Sequence, residues 1–219
     1  MSFPLPLRTV LLSSIGKKTL MALSGGGLSL FLLVHLVGMM YLLQGRASFL
    51  AHAARIHRLG PLLLLLEWGL AALVLFHVGV GLSLFRDSLI ARPTPYRVSK
   101  RKGTSSWGSR TMPSSGLVIL IFLALHLLAL RADGPETTMA DLVRRTLSGP
   151  LPALFTIVSM LALTLHVSHG LWSLFQTLGL NAPRYDPLLR RGAKLLALLG
   201  GGIFILIPLL ALCSKEFLL

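Results

Sequence analysis

Cysteine and acidic residues are scarce in this chain, and both shortages narrow the kinds of protein it can be. The single cysteine, Cys213, excludes a disulfide framework within the chain and a metal cluster held by its cysteines alone. Only seven Asp and Glu accompany 21 Lys and Arg, and 13% of the residues are charged. With 54% hydrophobic residues, this leaves too little polar surface for a water-soluble globule of 219 residues. The sequence therefore predicts a membrane protein.

Long apolar runs predict an all-α bundle of five transmembrane helices within a single domain, 1–219. A helix needs about 20 apolar residues to cross the hydrocarbon core. Five segments have that length, at about 19–43, 61–86, 112–131, 151–178 and 194–214. The first is too long for a cleaved signal peptide and lacks a convincing cleavage site, so it is interpreted as a retained helix. Segment 46–59 is suited to a short helix at the membrane surface.

The basic residues predict the orientation of the five helices. Fourteen lie at the N-terminus or in and beside the connections 87–111 and 179–193, and six lie in the other two connections. Cytoplasmic loops carry the excess of Lys and Arg. We therefore expect a cytoplasmic N-terminus and an outside C-terminus, and no nucleic acid partner is needed to explain the positive charge.

Five of the seven histidines lie within apolar segments, where polar side chains are costly and usually functional. His35, His77 and His126 lie on the first three helices, and His166 lies with His169 on the fourth. At a rise of about 1.5 Å per residue, alternating helices put His35 and His126 at one depth and His77 and His166 at another. We predict two facing pairs at two levels of the membrane, with His169 beside them and without an iron of its own.

Two facing imidazoles suit a haem iron, because neutral imidazole nitrogens fill both of its axial positions. Two such haems would carry electrons across the bilayer. Gly81 after His77 and Gly170 after His166 leave room for a flat macrocycle one turn beyond each ligand. The shared His-x-x-x-Gly-Leu pattern also predicts that the first two helices are a weak repeat of the next two. The alternative is a haem-free anchor or transporter whose histidines form hydrogen bonds or relay protons.

Several motifs spread over nearly the whole chain resemble those of one family. They are Ser-Ser-Ile-Gly-Lys-Lys at 13–18, Val-His-Leu at 34–36, Glu67 with Trp68, His77 with Gly81, Ser-Ser-Trp-Gly-Ser-Arg at 105–110, His-Val-Ser-His-Gly-Leu-Trp at 166–172 and Phe-Gln-Thr-Leu-Gly-Leu-Asn at 175–181. Together they resemble the di-haem cytochrome b subunit of succinate:menaquinone oxidoreductases and fumarate reductases, in its single-anchor, five-helix form. The cytochrome b subunit of a hydrogenase or formate dehydrogenase is the closest alternative.

The resemblance implies a role in respiratory complex II. His35 and His126 would hold the distal haem b, and His77 and His166 the proximal one. It also implies an iron–sulfur subunit and a flavoprotein with covalent FAD on the cytoplasmic side, where succinate dehydrogenase activity serves the tricarboxylic acid cycle. Menaquinone would be the membrane substrate of electron transport, and the location a bacterial cytoplasmic membrane.

Charged and hydroxyl side chains near the helix ends supply further candidates. Glu67 is the one acidic residue well inside an apolar segment, and because quinone reactions move protons with electrons, we predict that it relays protons at a quinone site. The alternative for Glu67 is a structural hydrogen bond to a neighbouring helix. Haem propionates need cationic or hydroxyl partners. The candidates are Lys17, Ser105, Ser106 and Arg110 on the inner face, and Arg46 or Arg58 on the outer face.

Overall fold

The structure, a computed structural model, describes residues 7–91, 107–131 and 137–214, and these ranges contain helices and no strand. The helices in chain order are α1 (Leu7–Leu12), α2 (Ser14–Leu43), α3 (Arg46–His57), α4 (Pro61–Ile90), α5 (Trp107–Arg131), α6 (Met139–Thr146), α7 (Pro150–Thr177) and α8 (Asp186–Cys213).

Five of these helices, α2, α4, α5, α7 and α8, are long and apolar enough to cross a membrane. The predicted all-α protein with five spans is therefore confirmed. The largest difference is at α8, which begins at Asp186 and not near residue 194. Hydropathy alone predicts that the apolar segment begins after Arg190, Arg191 and Lys194. Long basic side chains can reach water from helical turns at the membrane boundary, so the helix includes these three residues.

Proline and glycine set the ends of several helices. Gly45 and Gly60 adopt positive φ values of 110° and 53° on either side of α3, a conformation that favours glycine. Pro61 and Pro150 begin α4 and α7, where the missing amide proton costs no hydrogen bond. The short helix predicted within 46–59 is confirmed as α3. The short helices α1 and α6 were not anticipated, because each is only six or eight residues long.

The spanning helices are arranged around α2 and α7. Helix α2 packs against α4, α7 and α8, and α7 packs against α5 and α8. Glycines allow the close approach: a methyl group added at Gly26 would lie 2.8 Å from Leu174 of α7, and one at Gly27 would lie 3.1 Å from Leu73 of α4. Small residues of this kind are typical of closely packed membrane helices. By contrast, α2 with α5, and α4 with α7, are not closely packed pairs.

Two short helices close one end of the bundle. Helix α3 connects α2 to α4, helix α6 connects α5 to α7, and the two pack against each other. A small apolar core joins them to α2 and α8. Its buried members are Leu42, Phe49, Ala140, Leu147 and Ile207.

An ion pair reinforces this closed end. Arg46, the first residue of α3, donates to Asp141 of α6 through two parallel hydrogen bonds of 3.0 and 3.1 Å. Thr138, the residue that caps α6, donates a further bond of 2.5 Å to the same carboxylate. The hydrogen bonds from Arg46 and then Thr138 hold the pKa of the Asp141 carboxyl well below its ordinary value.

We predict that Asp141→Asn lowers the melting temperature of the detergent-solubilised protein at neutral pH, because it leaves Arg46 without its charged partner. Since folding lowers the pKa of Asp141, its contribution to the free energy of unfolding is complete above its unfolded pKa of about 4. This contribution is lost as the pH falls toward the lower folded-state pKa. The difference in melting temperature between wild type and variant should therefore shrink only in strong acid. Asp186→Asn is the control, because it removes a weaker ion pair, a 3.5 Å contact to Arg190 within one helix. A melting temperature equal to that of wild type at pH 7 would contradict this account.

Candidate functional site

The structure brings four of the intramembrane histidines together in two pairs. The ring centroids of His35 on α2 and His126 on α5 lie 6.4 Å apart, and those of His77 on α4 and His166 on α7 lie 6.4 Å apart as well. The interplanar angles are 80° and 69°. Each pair therefore joins one helix of the α2–α4 hairpin to one helix of the α5–α7 hairpin.

The separation within each pair fits an iron held from two sides. A metal–imidazole bond is about 2 Å long and a ring nitrogen lies about 1.2 Å from its centroid, so two coaxial imidazole ligands place their centroids about 6 to 6.5 Å apart. Large interplanar angles are compatible with this arrangement, because each ring turns freely about its own bond to the metal. The helices within each pair are also not closely packed. The donor set and its spacing thus fit a haem in each pair.

His77 and His166, the serine-bonded pair, each have a hydroxyl at one ring nitrogen. The Oγ of Ser24 on α2 lies 2.9 Å from Nδ1 of His77, and the Oγ of Ser115 on α5 lies 3.1 Å from Nδ1 of His166. Both serines are buried, with 3% and 5% of their surface exposed. With Nδ1 engaged, Nε2 is the ring nitrogen that remains for a metal.

His35 and His126, the phenylalanine-stacked pair, are held by aromatic rings. Phe31, one turn before His35, stacks on it at 5.6 Å, and Phe204 of α8 stacks on it at 5.8 Å. Phe122, one turn before His126, stacks on that ring at 5.5 Å. The fifth spanning helix, which has no histidine, therefore contributes to this level through Phe204.

The neighbours of the histidines reveal a repeat longer than the predicted one. The pattern Ser-Gly-x5-Phe-x3-His runs from Ser24 to His35 in α2. The same pattern runs from Ser115 to His126 in α5. Gly25 and Gly116 lie beside the serine-bonded pair, since a methyl group at each would be 3.2 Å from Cε1 of His77 and 3.5 Å from Cε1 of His166. Sequence reasoning missed both serines, although this repeated spacing was the signal that could have found them.

The glycines predicted to accommodate a macrocycle have different surroundings. A methyl group at Gly170 would meet no atom within 4 Å, so the backbone of α7 is open there. At Gly81 it would lie 3.0 Å from Cε of Met21, the far end of a flexible side chain. His169, one turn from His166, is half-buried on the same helix.

The proposed propionate partners are dispersed. Lys17 of α2 forms an ion pair of 2.6 Å with Asp87, near the end of α4. Arg110 is exposed in the first turn of α5. Ser105 and Ser106 lie outside the described residues. At the closed end Arg46 is bonded to Asp141, whereas Arg58 is exposed.

Glu67 lies on α4 in the second turn, with an exposed side chain beside Trp68, which is 65% exposed. Helix α4 packs closely against α2 alone, so this part of its surface faces away from the bundle. His57 is exposed, and His52 stacks on Tyr41 at 4.4 Å near the closed end. Neither of these two histidines lies in a facing pair within the described part of the chain.

No family of proteins, no curated protein and no solved structure was found to match this chain.

We predict that Gly25→Ala disturbs the serine-bonded pair more than Gly116→Ala, because its methyl group would come closer to the histidine ring. Gly69→Ala on α4 is the control, since a methyl group there meets no atom within 4 Å and alanine favours a helix by up to about 1 kcal/mol. Thermal unfolding should give the lowest melting temperature for Gly25→Ala. Equal melting temperatures for the Gly25 and Gly69 variants would show that the close approach to His77 does not matter.

Proposed function

We propose that this protein is a membrane cytochrome that holds two haems b, one between His35 and His126 and one between His77 and His166. The observation that carries the proposal is the equal separation of 6.4 Å in two histidine pairs on four spanning helices. Intramembrane histidines are expensive, and two pairs with matched spacing are what two bis-histidine haems require. A set of independent interhelical hydrogen bonds would not demand this regularity.

Each haem, when bound, accepts and releases one electron, and the protein supplies ligands, orientation and an apolar medium. His35 with His126 and His77 with His166 would each supply both protein ligands of one haem iron, so neither iron would keep an open position for oxygen. By the depth calculation from the sequence, one pair would lie nearer each membrane surface. The chain would thus provide an electron path across the bilayer.

The motifs of the sequence support a narrower proposal, that the chain is the cytochrome b anchor of a succinate:menaquinone oxidoreductase or fumarate reductase. Its partners would be an iron–sulfur subunit and a flavoprotein with covalent FAD, which carries the succinate site. The cytoplasmic side would be the one with Lys17, Arg110 and the basic start of α8, in keeping with the positive-inside rule. The location would be a bacterial cytoplasmic membrane, with the N-terminus inside and the C-terminus outside.

Glu67 would serve the quinone reaction. Its carboxylate lies in the second turn of α4 and faces away from the packed centre of the bundle, where a lipid-soluble quinone has access. Reduction of menaquinone takes up two protons with two electrons, and oxidation of menaquinol releases them. A carboxylate at this position would transfer those protons between the quinone and water.

We predict that His77→Ala and His126→Ala each remove one haem, because each deletes one axial ligand from a different pair. Haem per protein should fall from two to one in either variant, measured by the pyridine haemochrome method on the purified complex. His52→Ala and His57→Ala, outside the pairs, should keep both haems. Retention of two haems in both paired variants would exclude the proposed ligands.

The same preparation separates the proposal from its alternatives. Co-purification of a flavoprotein and an iron–sulfur protein with succinate-oxidising activity would support complex II. A nickel or molybdenum protein in their place would indicate the hydrogenase or formate dehydrogenase alternative, and a colourless complex would indicate a haem-free anchor.

We predict that Glu67→Gln slows quinone turnover by about a hundredfold, the lower range for loss of a general acid–base group. The reduced-minus-oxidised haem spectrum should stay the same, because Glu67 is not in either histidine pair. Asp186→Asn, which changes a half-buried carboxylate paired with Arg190 at the start of α8, is the control and should turn over normally. Unchanged turnover in Glu67→Gln would remove Glu67 from the quinone site.

A further inference from the structure

The hydroxyl protons of the two buried serines have partners on their own helices. The Oγ of Ser115 lies 2.7 Å from the carbonyl oxygen of Thr111 and 3.1 Å from Nδ1 of His166. A hydroxyl has a single proton, and a carbonyl oxygen can only accept it, whereas a ring nitrogen either donates or accepts. With its proton on the carbonyl, Ser115 accepts a hydrogen bond from the imidazole.

Ser24 has the same pair of partners. Its Oγ lies 3.2 Å from the carbonyl oxygen of Met21 and 2.9 Å from Nδ1 of His77, so with its proton on the carbonyl it likewise accepts a hydrogen bond from the ring. The Ser-Gly-x5-Phe-x3-His repeat relates Ser24 to Ser115, and the His-x-x-x-Gly-Leu repeat relates His77 to His166. Both imidazoles then carry their proton on Nδ1, so both Nε2 atoms have a free lone pair.

We propose that Ser24 and Ser115 are matched positioning residues that fix His77 and His166 in the tautomer able to bind iron through Nε2 and make both ligands more electron-rich. This rests on the proposed function, because it takes a haem as the group between the two rings. Among residues 7–91, 107–131 and 137–214, no serine is bonded in this way to the phenylalanine-stacked pair: Phe31, Phe204 and Phe122 hold His35 and His126 by contact between rings.

The serine hydrogen bonds and the phenylalanine stacking should affect the haem iron differently. A hydrogen bond accepted from Nδ1–H increases the basicity of Nε2, which stabilises ferric over ferrous iron and lowers the midpoint potential. Stacked phenylalanine rings orient an imidazole without accepting its proton. The serines should therefore tune one haem and leave the other unchanged.

The test is a potentiometric titration of both haems in the intact complex in its membrane. In Ser24→Ala and in Ser115→Ala, we expect the preference of one haem for the ferric state to fall about threefold. This is an upward shift of about 28 mV, at about 59 mV per tenfold change for a one-electron couple. In the double variant the same haem should shift about twice as far, because both histidines bind one iron.

Neighbouring serines provide matched controls. Ser114 also donates to the carbonyl of Thr111, at 3.0 Å, but its side chain is exposed. Ser29 donates to the carbonyl of Gly25 at 2.8 Å on α2. Ser114→Ala and Ser29→Ala should leave both potentials at their wild-type values, and Ser115→Thr, which keeps the hydroxyl, should do so as well.

The remaining outcomes distinguish a failure of this proposal from a failure of the proposed function. Two haems with unchanged potentials in both alanine variants would overturn the proposal and leave the cytochrome function intact. A shift of both potentials in the double variant would also overturn it, since the serines would then act on different haems. A wild-type chain without haem would overturn the proposed function itself. If an alanine variant does not accumulate, Ser115→Cys keeps the shape with a weaker acceptor, and an unchanged potential there would refute the proposal.

Discussion

The structure depends on the placement of imidazole nitrogens within hydrocarbon, where each unsatisfied polar group is costly. Four histidines occupy such positions, and each is supported by another part of the chain. Ser24 and Ser115 bond His77 and His166, whereas Phe31 and Phe122 stack on His35 and His126. The ring centroids lie 6.4 Å apart in both pairs. An iron between them would satisfy both rings at once, which is why the histidine pairs are the centre of this account.

The arrangement of the hairpins follows from this constraint. Each pair takes one histidine from α2–α4 and one from α5–α7, so neither hairpin forms a complete pair alone. Contacts between α2 and α7, with Gly26 against Leu174, bring the hairpins together. At the closed end, Arg46 and Asp141 join α3 to α6, the two short helices that connect the spans. Binding of a cofactor would therefore be coupled to assembly of the bundle, as is general for metal sites formed on folding.

Much of the fold was accessible from the sequence because hydropathy and helix length are local properties. The five spans and the helix within 46–59 follow from composition, and the pairing of histidines follows from rise per residue. The start of α8 was not predictable in this way, since Arg190, Arg191 and Lys194 interrupt the apolar run without ending the helix. The serines were missed because a serine in an apolar helix usually bonds its own backbone. Only the approach of α2 to α4 and of α5 to α7 shows that Ser24 and Ser115 also reach an imidazole.

The central claim concerns stoichiometry: two histidine pairs hold two haems in one chain. The most direct measurement is the ratio of haem b to polypeptide in the purified wild-type complex, with the chain quantified by amino-acid analysis. The account predicts a ratio of two, with both irons low-spin because each has two imidazole ligands. A ratio of one or zero in a well-folded preparation would contradict it.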